Sequence, residues 1–489
     1  MLRLPLCALI ALLALTFCAT AGAATTTVMT RNLYLGADVS VALKLLPDMP
    51  AAAQFMWDQV AATDFRRRAP LFATEAARER PDVIGLQEAT RWSCSTGFGG
   101  NRRVVFDFTQ EFLAATEAAG TPYVLATADG RTAQNPSFGL GPIPFLTRIH
   151  DPATFQPLFG TDDADCGFQI GDALAIRADL APRVRAVGVG DFPTETTIAP
   201  LVLVIPRGFV WADVDLDGTP VRFVTTHLES LWTAGETPPS ARQASQLVET
   251  LASTTMPLVV MGDFNSDPRD PRDPSDNPGG QPEMSATCPA QSGDGDARCN
   301  AYWTMREAGY ADAGPDATDP RNFTWGASAL LAGPDPARVP AALDAGNPHG
   351  LTDRLDYIFL RNGPRAVEAH LIGAAWPAGA DLWDCDTPEQ ARDAAQAAVA
   401  LGIEAPSPTQ CLPTDHAGIV TTISLPASTV LDPPLPQHTS GRPLMATIAL
   451  IAIAVVAAAL VVHITLALIL LVPLIVVVAI VVANRRRRA

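Results

Sequence analysis

The sequence predicts an α/β fold in which two stacked sheets are flanked by helices. Strand-like segments such as "PDVIGLQEAT" (Pro81 to Thr90) alternate with helical ones such as "ARQASQLVETLAS" (residues 241–253). "GFVWADVDLDGTPVRFVTTHLES" (Gly208 to Ser230) predicts two strands joined by a hairpin turn at Asp217-Gly218. About 400 residues lie between the two chain ends, which suits one large sandwich with insertions, or two domains.

The other elements follow in chain order. Thr25 to Leu35 is a first strand that ends at Arg31 and Asn32, and a helical stretch runs from Phe55 to Arg80. Residues 105–120 form an amphipathic helix closed by a glycine. Further strands are expected at residues 123–128, 171–177, 184–189, 257–265, 354–360 and 416–425, and loops or insertions at 267–298 and 387–410.

The first 23 residues have the layout of a secretory signal peptide. Arg3 precedes an apolar run, and small residues follow it. We expect cleavage near residues 21–24, with a catalytic domain over residues 24–430.

The opposite end of the chain carries a long apolar run, residues 444–483. A membrane span needs about 20 apolar residues, and this run is roughly twice as long. It predicts one tilted transmembrane anchor after a Pro-rich stalk (431–443), or two helices with a break near His463 or at Pro473. The basic tail (484–489) should stay cytoplasmic, which places the folded part at the cell surface. "LPQHTSG" (435–441) also loosely resembles a sortase sorting signal.

Charge and cysteine content narrow the function classes. The formal net charge is −17, which argues against tight, cation-free binding of nucleic acid but not against a metal-dependent enzyme acting on phosphates. Six cysteines remain outside the signal peptide, and an even number outside the cell indicates disulfides, with 15 pairings open. We predict Cys288–Cys299, Cys385–Cys411 and, by elimination, Cys94–Cys166.

Polar residues recur where apolar strands end. In "VVMGDFNSDP" the side chains of Asp263 and Asn265 should point the same way, because side chains alternate along a strand. The alternative for this pair is an Asx-turn that closes the strand. The full set is Asn32, Glu88, His227, Asp263, Asn265, Asp356, Asp415 and His416. These residue types suit metal-assisted attack of water on a phosphate, and oxygen ligands suit Mg²⁺.

This ordered set, with "QE", "GDFN" and a distal "DH", resembles the endonuclease/exonuclease/phosphatase superfamily. Its members include pancreatic-type deoxyribonucleases, apurinic endonucleases, inositol polyphosphate 5-phosphatases and neutral sphingomyelinases. The resemblance extends over roughly Thr25 to Ser424. It implies a four-layer α/β sandwich of two packed, mostly antiparallel sheets flanked by helices.

The resemblance also implies a metal site. Glu88 would bind Mg²⁺, or Mn²⁺ in its place, with Asn32 and Asp415 at or near the metal shell.

The other residues would act on the phosphate and the attacking water. The resemblance implies that Asp263 orients or deprotonates the water and that Asn265 holds a phosphate oxygen. His227 would donate a hydrogen bond to the phosphate, and His416, oriented by Asp356, would contact it. Which residue is the general base stays open.

The expected activity is therefore hydrolysis of a phosphodiester, in a nucleic acid or a phospholipid head group, by a Mg²⁺-dependent enzyme outside the cytoplasm. We expect a monomer, with the membrane reached through the C-terminal anchor and no protein partner. The alternative is a non-catalytic surface binding module that retains the fold.

Overall fold

The computed structural model of the protein describes residues 24–97, 100–142, 145–198, 203–231, 237–270, 299–379, 381–427 and 430–436. They belong to the first of two units, residues 1–437; the second, residues 438–489, lies outside the described residues. The predicted signal peptide, membrane anchor and basic tail lie outside them too. Within the described ranges, no helix is both long and apolar enough to cross a membrane.

Strands make up most of the regular structure in these ranges. In chain order they are β1 (Thr25–Asn32), β2 (Val83–Gln87), β3 (Arg91–Ser95), β4 (Arg103–Asp107), β5 (Tyr123–Leu125), β6 (Thr127–Ala128), β7 (Arg131–Thr132), β8 (Gln134–Leu140), β9 (Thr147–Arg148), β10 (Asp163–Arg177), β11 (Val184–Asp191), β12 (Thr196–Ile198), β13 (Leu203–Ile205), β14 (Gly208–Leu216), β15 (Thr219–His227), β16 (Leu258–Asp263), β17 (Ala311–Asp312), β18 (Asp356–Arg361), β19 (Arg365–Ile372), β20 (Trp383–Asp384), β21 (Gln410–Cys411) and β22 (Gly418–Ser424).

The helices are fewer and mostly short. They are α1 (Val39–Lys44), α2 (Met49–Thr63), α3 (Phe65–Glu79), α4 (Phe108–Ala118), α5 (Pro239–Leu251), α6 (Ala301–Glu307), α7 (Val339–Ala345) and α8 (Pro388–Leu401), with 3₁₀ turns at Ala178–Arg183 and Pro320–Asn322.

Two large sheets organise the strands. The larger has the order β19-β22-β1-β2-β10-β3-β4, and β5, β8 and β9 also pair with the long strand β10; the smaller has the order β11-β14-β15-β16-β18-β17. The pairs β1–β2 and β15–β16 are parallel, and the other pairs in both sheets are antiparallel. The predicted class, two packed and mostly antiparallel sheets, is therefore confirmed for these residues.

Alternation along the strands separates three apolar layers. In β16, Val259 and Met261 face a core between the two sheets, whereas Val260 faces α5 and α6 on the outer side of the smaller sheet. Helices α2 to α4 cover the outer face of the larger sheet through residues such as Trp57 and Phe72. The result is helix, sheet, sheet and helix in succession.

Two helical predictions had the wrong bounds. The helix predicted from residue 105 begins at Phe108, because Phe106 and Asp107 pair with β3 and the Asp107 side chain caps the helix at the backbone N–H of Gln110. The helical stretch predicted through residue 80 is divided at Asp64, where φ is 13° and the side chain caps α3.

Two of the predicted disulfides are present. Cys94–Cys166 joins β3 to β10, and Cys385–Cys411 ties together the ends of a segment that contains α8. Cys288, a member of the third predicted pair, lies outside the described residues.

The first residues of the predicted stalk pack against the sandwich. The Asp432 carboxylate accepts hydrogen bonds from the backbone and hydroxyl of Thr255 and from the backbone of Met256. Leu435 is 4% exposed and joins the apolar layer beside α5. The predicted stalk is therefore packed against the domain as far as Leu435.

Candidate active site

Three of the predicted site residues form one row across the smaller sheet. His227 ends β15 and pairs in register with Asp263 at the end of β16, which in turn pairs with Asp356 at the start of β18. The carboxyl ends of the parallel strands β15 and β16 meet at one edge. The row therefore follows from strand pairing, and all three side chains are at most 5% exposed.

The larger sheet supplies the facing half of the site. Asn32 ends β1 opposite Gln87, and Glu88 follows directly after β2. Asp415 and His416 lie just before β22, which pairs with β1 on its other side. Strands β22, β1 and β2 are neighbours, so the four polar residues arrive at one end of the sheet.

The structure brings all eight predicted residues together. Asn32 Nδ2 donates to Asp263 Oδ2 at 3.1 Å and to Glu88 Oε1 at 3.4 Å, which connects the two sheets. Asn265 Nδ2 lies 3.0 Å from His227 Nε2, and Asp415 Oδ1 lies 4.0 Å from His416 Nε2.

The segment "GDFN" is both a turn and part of this cluster. Asp263 Oδ1 accepts the Asn265 backbone N–H at 2.9 Å, which is the Asx-turn considered from the sequence. Phe264 is fully buried between them, edge-on to Phe359. Gly262 has φ 148°, and a Cβ at this position would lie 2.0 Å from the Thr226 carbonyl oxygen, so glycine is required.

His416 and Asp356 form a buried acid–imidazole pair. Nδ1 of His416 lies 2.9 Å from Asp356 Oδ2. Burial by itself would lower the pKa of His416, but the carboxylates of Asp356, Asp415 and Asp263 together raise it to about 10. The imidazole is therefore positively charged near neutral pH, and its Nε2–H faces Asp263.

Asp263 lies between the two histidines. Its Oδ2 is 3.5 Å from Nε2 of His227 and 3.6 Å from Nε2 of His416. Burial raises the pKa of Asp263 to about 7, although the charge of His416 opposes this increase. A carboxyl with such a pKa can accept a proton near neutral pH.

His227 is a neutral, buried imidazole that contacts Arg207. Burial lowers its pKa well below the ordinary value, and the charges of Arg207 and His416 lower it further. Arg207 Nη1 lies 3.2 Å from Nδ1 of His227. Because a guanidinium can only donate, Nδ1 accepts from Arg207, while Nε2 faces the Asn265 amide nitrogen at 3.0 Å and Asp263 Oδ2 at 3.5 Å.

The residues expected to hold a metal have suitable chemistry for a hard divalent cation. Glu88 and Asp415 are partly exposed, whereas Asn32 is fully buried between the sheets. Burial raises the pKa of Glu88, and the nearby Asp415 carboxylate raises it further. Two carboxylates that destabilise each other's charge are relieved by a cation bound between them.

A second group of possible ligand atoms belongs to the same cluster. One atom each from Asp263, Asp356 and His416 lie within 4.8 Å of one another. A protonated imidazole cannot be a ligand, so this group requires a neutral His416. Glu88 and Asp415 offer carboxylate oxygens without this requirement. Asn32 turns its Nδ2 toward Glu88, and its Oδ1 accepts the Tyr34 backbone N–H at 2.8 Å.

Several residues around the site were not found from the sequence. Arg207 pairs with the buried Glu229 at 3.2 Å, and Trp325 donates from Nε1 to Asp415 Oδ2 at 3.3 Å. Asp172 is 1% exposed, and burial raises its pKa well above the ordinary value. A lone acid in the apolar strand "GDALAIR" was the available signal for Asp172. No sequence pattern pointed to Arg207 or Trp325.

The arrangement can bind and hydrolyse a phosphate ester. It combines an imidazolium, N–H donors, a carboxyl able to accept a proton and two carboxylates suited to a cation, all at one end of the sandwich. Charge stabilisation and positioning of this kind supply most of the rate acceleration in phosphoryl transfer.

The family comparison agrees with this class. A family model described as the Endonuclease/Exonuclease/phosphatase family matches residues 62–416, which is more than half of the chain. The chain therefore belongs to the endonuclease/exonuclease/phosphatase family. Members of the family are phosphoesterases and nucleases, which supports hydrolase activity on phosphate esters.

The solved structures that match this chain are distant in sequence. A family protein from Bacteroides thetaiotaomicron is 15% identical, with 83% of this chain and 99% of that chain covered and a TM-score of 0.40. A mannosyl-6-phosphatase from the same organism is 14% identical, with 81% and 99% covered and a TM-score of 0.37. Truncated TDP2 from Caenorhabditis elegans is 12% identical, with 82% and 97% covered and a TM-score of 0.35.

The family assignment does not depend on these likenesses, whose TM-scores are all below 0.5. No curated protein matches the sequence significantly.

Proposed function

We propose that this protein is a Mg²⁺-dependent phosphodiesterase that acts outside the cytoplasm. One observation carries the proposal: Asp263 Oδ2 lies 3.6 Å from the charged His416 ring, beside the Glu88 and Asp415 carboxylates. A proton acceptor, a cationic phosphate contact and an acidic cation site therefore share one cleft. Mn²⁺ would serve in place of Mg²⁺, because both accept oxygen ligands.

Asp263 is proposed to orient the attacking water and accept its proton. Its pKa of about 7 suits a general base near neutral pH, where about half of the carboxyl is ionised. The Asn265 backbone and the Asn32 amide hold the two oxygens of Asp263 from opposite sides, at 2.9 Å and 3.1 Å, which fixes the direction of the free lone pairs.

The two histidines and Asn265 are proposed to bind the phosphate. His416 offers a charged N–H and is held by Asp356, while His227 is a neutral ring held by Arg207. Charge-assisted donors strengthen as negative charge develops on the phosphoryl oxygens.

Glu88, Asn32 and Asp415 are proposed to hold the cation. When bound, the cation polarises a phosphoryl oxygen and stabilises the leaving alkoxide. Glu88 is kept in place by the backbone N–H of Leu35, which donates to Oε2 at 2.5 Å.

The substrate is proposed to be a nucleic acid or a phospholipid head group. The net charge of −17 weighs against a polyanionic nucleic acid, although a bound cation offsets this locally. A predicted anchor would hold the domain near lipid. The extracytoplasmic location is supported by the signal-peptide layout and by the two disulfides, which persist in oxidising compartments.

The proposal is tested by hydrolysis assays on the purified chain with and without Mg²⁺. The panel is plasmid DNA, RNA, sphingomyelin and a bis-aryl phosphodiester, each with wild type, His416→Ala and His370→Ala. His370 is an exposed histidine paired with Glu79 on the surface, so its variant is the matched control.

We expect turnover of at least one substrate that is lost in His416→Ala and kept in His370→Ala. No turnover and no Mg²⁺ binding would overturn the proposal and favour the non-catalytic surface module. Turnover that is equal in both variants would remove His416 from the mechanism.

A further inference from the structure

A buried arginine behind the site joins the two halves of the proposed cation site. Arg68 belongs to α3 and is fully buried, and its guanidinium lies over the Phe65 and Phe108 rings at 4.9 Å and 5.5 Å. All four of its hydrogen bonds go to main-chain carbonyl oxygens: Thr63 at 2.7 Å, Leu33 at 2.6 Å, Pro413 at 2.9 Å and Tyr34 at 3.1 Å.

These carbonyls flank the proposed cation ligands. Leu33 directly follows Asn32, and Pro413 lies two residues before Asp415. One nitrogen of Arg68, Nη1, donates to both Leu33 and Pro413. The guanidinium therefore joins two segments of the site that are far apart in sequence.

Helix α3 holds the same segment at a second point. Glu75 of this helix makes a buried, two-bond ion pair with Arg31, at 2.9 Å and 2.8 Å. Nη1 of Arg31 donates to the His416 carbonyl oxygen at 2.5 Å. Asp415 thus lies between Pro413 and His416, whose backbones are both fixed by the helix.

We propose that Arg68 is a positioning residue that sets the spacing between Asn32 and Asp415 and so determines how tightly the site binds a divalent cation. This inference rests on the proposed function. The planar guanidinium reaches four carbonyls in different directions, whereas a lysine ammonium has three donors on a single nitrogen. Lysine keeps the charge of Arg68 but cannot make the full set of bonds.

The test is Mn²⁺ binding to the full chain, measured by the loss of the free-ion electron paramagnetic resonance signal. It needs no substrate. The variant is Arg68→Lys, and the matched control is Arg222→Lys. Arg222 is also fully buried and makes a two-bond ion pair with Asp213. Arg222 lies near the start of β15, about 17 Å along the strand from His227.

We expect both lysine variants to lower Tm, and only Arg68→Lys to weaken Mn²⁺ binding, by tenfold or more. Unchanged Mn²⁺ binding in Arg68→Lys, or equal weakening in both variants, would overturn the inference. Wild-type protein that binds no Mn²⁺ would instead contradict the proposed function itself.

A second variant decides the matter if Arg68→Lys does not fold. The Thr414 hydroxyl donates to the Asn32 carbonyl oxygen at 2.9 Å and so joins the same two segments. Thr414→Val should weaken Mn²⁺ binding in the same direction but by less, about two- to fivefold. An unchanged affinity in this variant would count against positioning of the two segments.

Discussion

The pair formed by His416 and Asp356 gives the most direct test of the site. Asp356→Asn keeps the size of the side chain and an acceptor for Nδ1 of His416, which lies 2.9 Å from Asp356 Oδ2. It removes only the charge. Any change in the protonation of His416 then reports the electrostatic contribution of Asp356.

The size of the effect follows from the pKa of His416, which is about 10 in the folded protein. Burial lowers this pKa, and Asp356 is the carboxylate that raises it most. Without that charge we expect a pKa of about 7, close to the ordinary value of about 6.5. At pH 8 the charged fraction then falls from nearly all to about a tenth, a roughly tenfold loss.

The assay is the pH dependence of kcat/KM on a bis-aryl phosphodiester, with the imidazole titration followed by NMR. The basic limb should move from near pH 10 to near pH 7, with a small change at pH 6. Because the folded pKa of His416 exceeds its unfolded value, its charge stabilises the fold fully below about pH 6.5, and this stability is lost as pH rises through about 10. In Asp356→Asn that part of the stability curve should flatten.

Glu79→Gln is the matched control, because Glu79 pairs with the exposed His370 at 3.0 Å. It should leave the rate profile unchanged. A folded Asp356→Asn protein whose basic limb coincides with that of wild type would refute the role of Asp356 in charging His416.

Three further predictions concern the cation, the backbone and a remote carboxyl. Mg²⁺ at 100 times Kd should stabilise the wild-type fold by about 2.7 kcal/mol and so raise its Tm. Glu88→Gln should abolish this rise; a persisting rise would place the cation elsewhere. Gly262→Ala should destabilise the protein by about 3 kcal/mol or more in chemical denaturation, because its Cβ meets a carbonyl at 2.0 Å; Gly218→Ala, with open space around the Cβ, should cost about 1–2 kcal/mol. Burial raises the pKa of Glu111 to about 7, so its contribution to stability falls as pH rises from about 4.5 to 7. Glu111→Gln should therefore stabilise the protein at pH 8 by up to about 3 kcal/mol and leave it unchanged at pH 4, whereas the exposed Glu117→Gln should change neither value.

The strands that carry the site were predictable because their signals are local. An apolar run that ends in a polar residue, as at Asp263 or Glu88, is visible within about ten residues. The order of the motifs along the chain identified the site as a whole, because the resemblance depends on that order. Strands β3, β4 and β8 were missed, because short strands with polar or glycine residues lack a clear alternating pattern.

Helix α4 shows how tertiary pairing overrides a local pattern. Residues 105–107 continue the amphipathic period of the helix, yet they belong to β4, in which Phe106 and Asp107 pair with β3, and Asp107 caps the helix only after this strand. Similarly, the Pro-rich composition from residue 431 predicted a stalk, but the Asp432 carboxylate is held by Thr255. Composition cannot reveal a partner that lies 177 residues away in the chain.

The sequence by itself determined the α/β class, the two-sheet arrangement, two of the cysteine pairs and the identity of all eight clustered polar residues. The tertiary structure alone decided what surrounds them. Strand register places His227, Asp263 and Asp356 in one row. Burial raises the pKa of Asp263 and lowers the pKa of its neighbour His227. Arg68 became visible only through its contacts, because a buried arginine that bonds to carbonyl oxygens looks in sequence like any arginine on a helix. Pairing and desolvation depend on residues far apart in the chain, and so neither could be inferred from a local pattern.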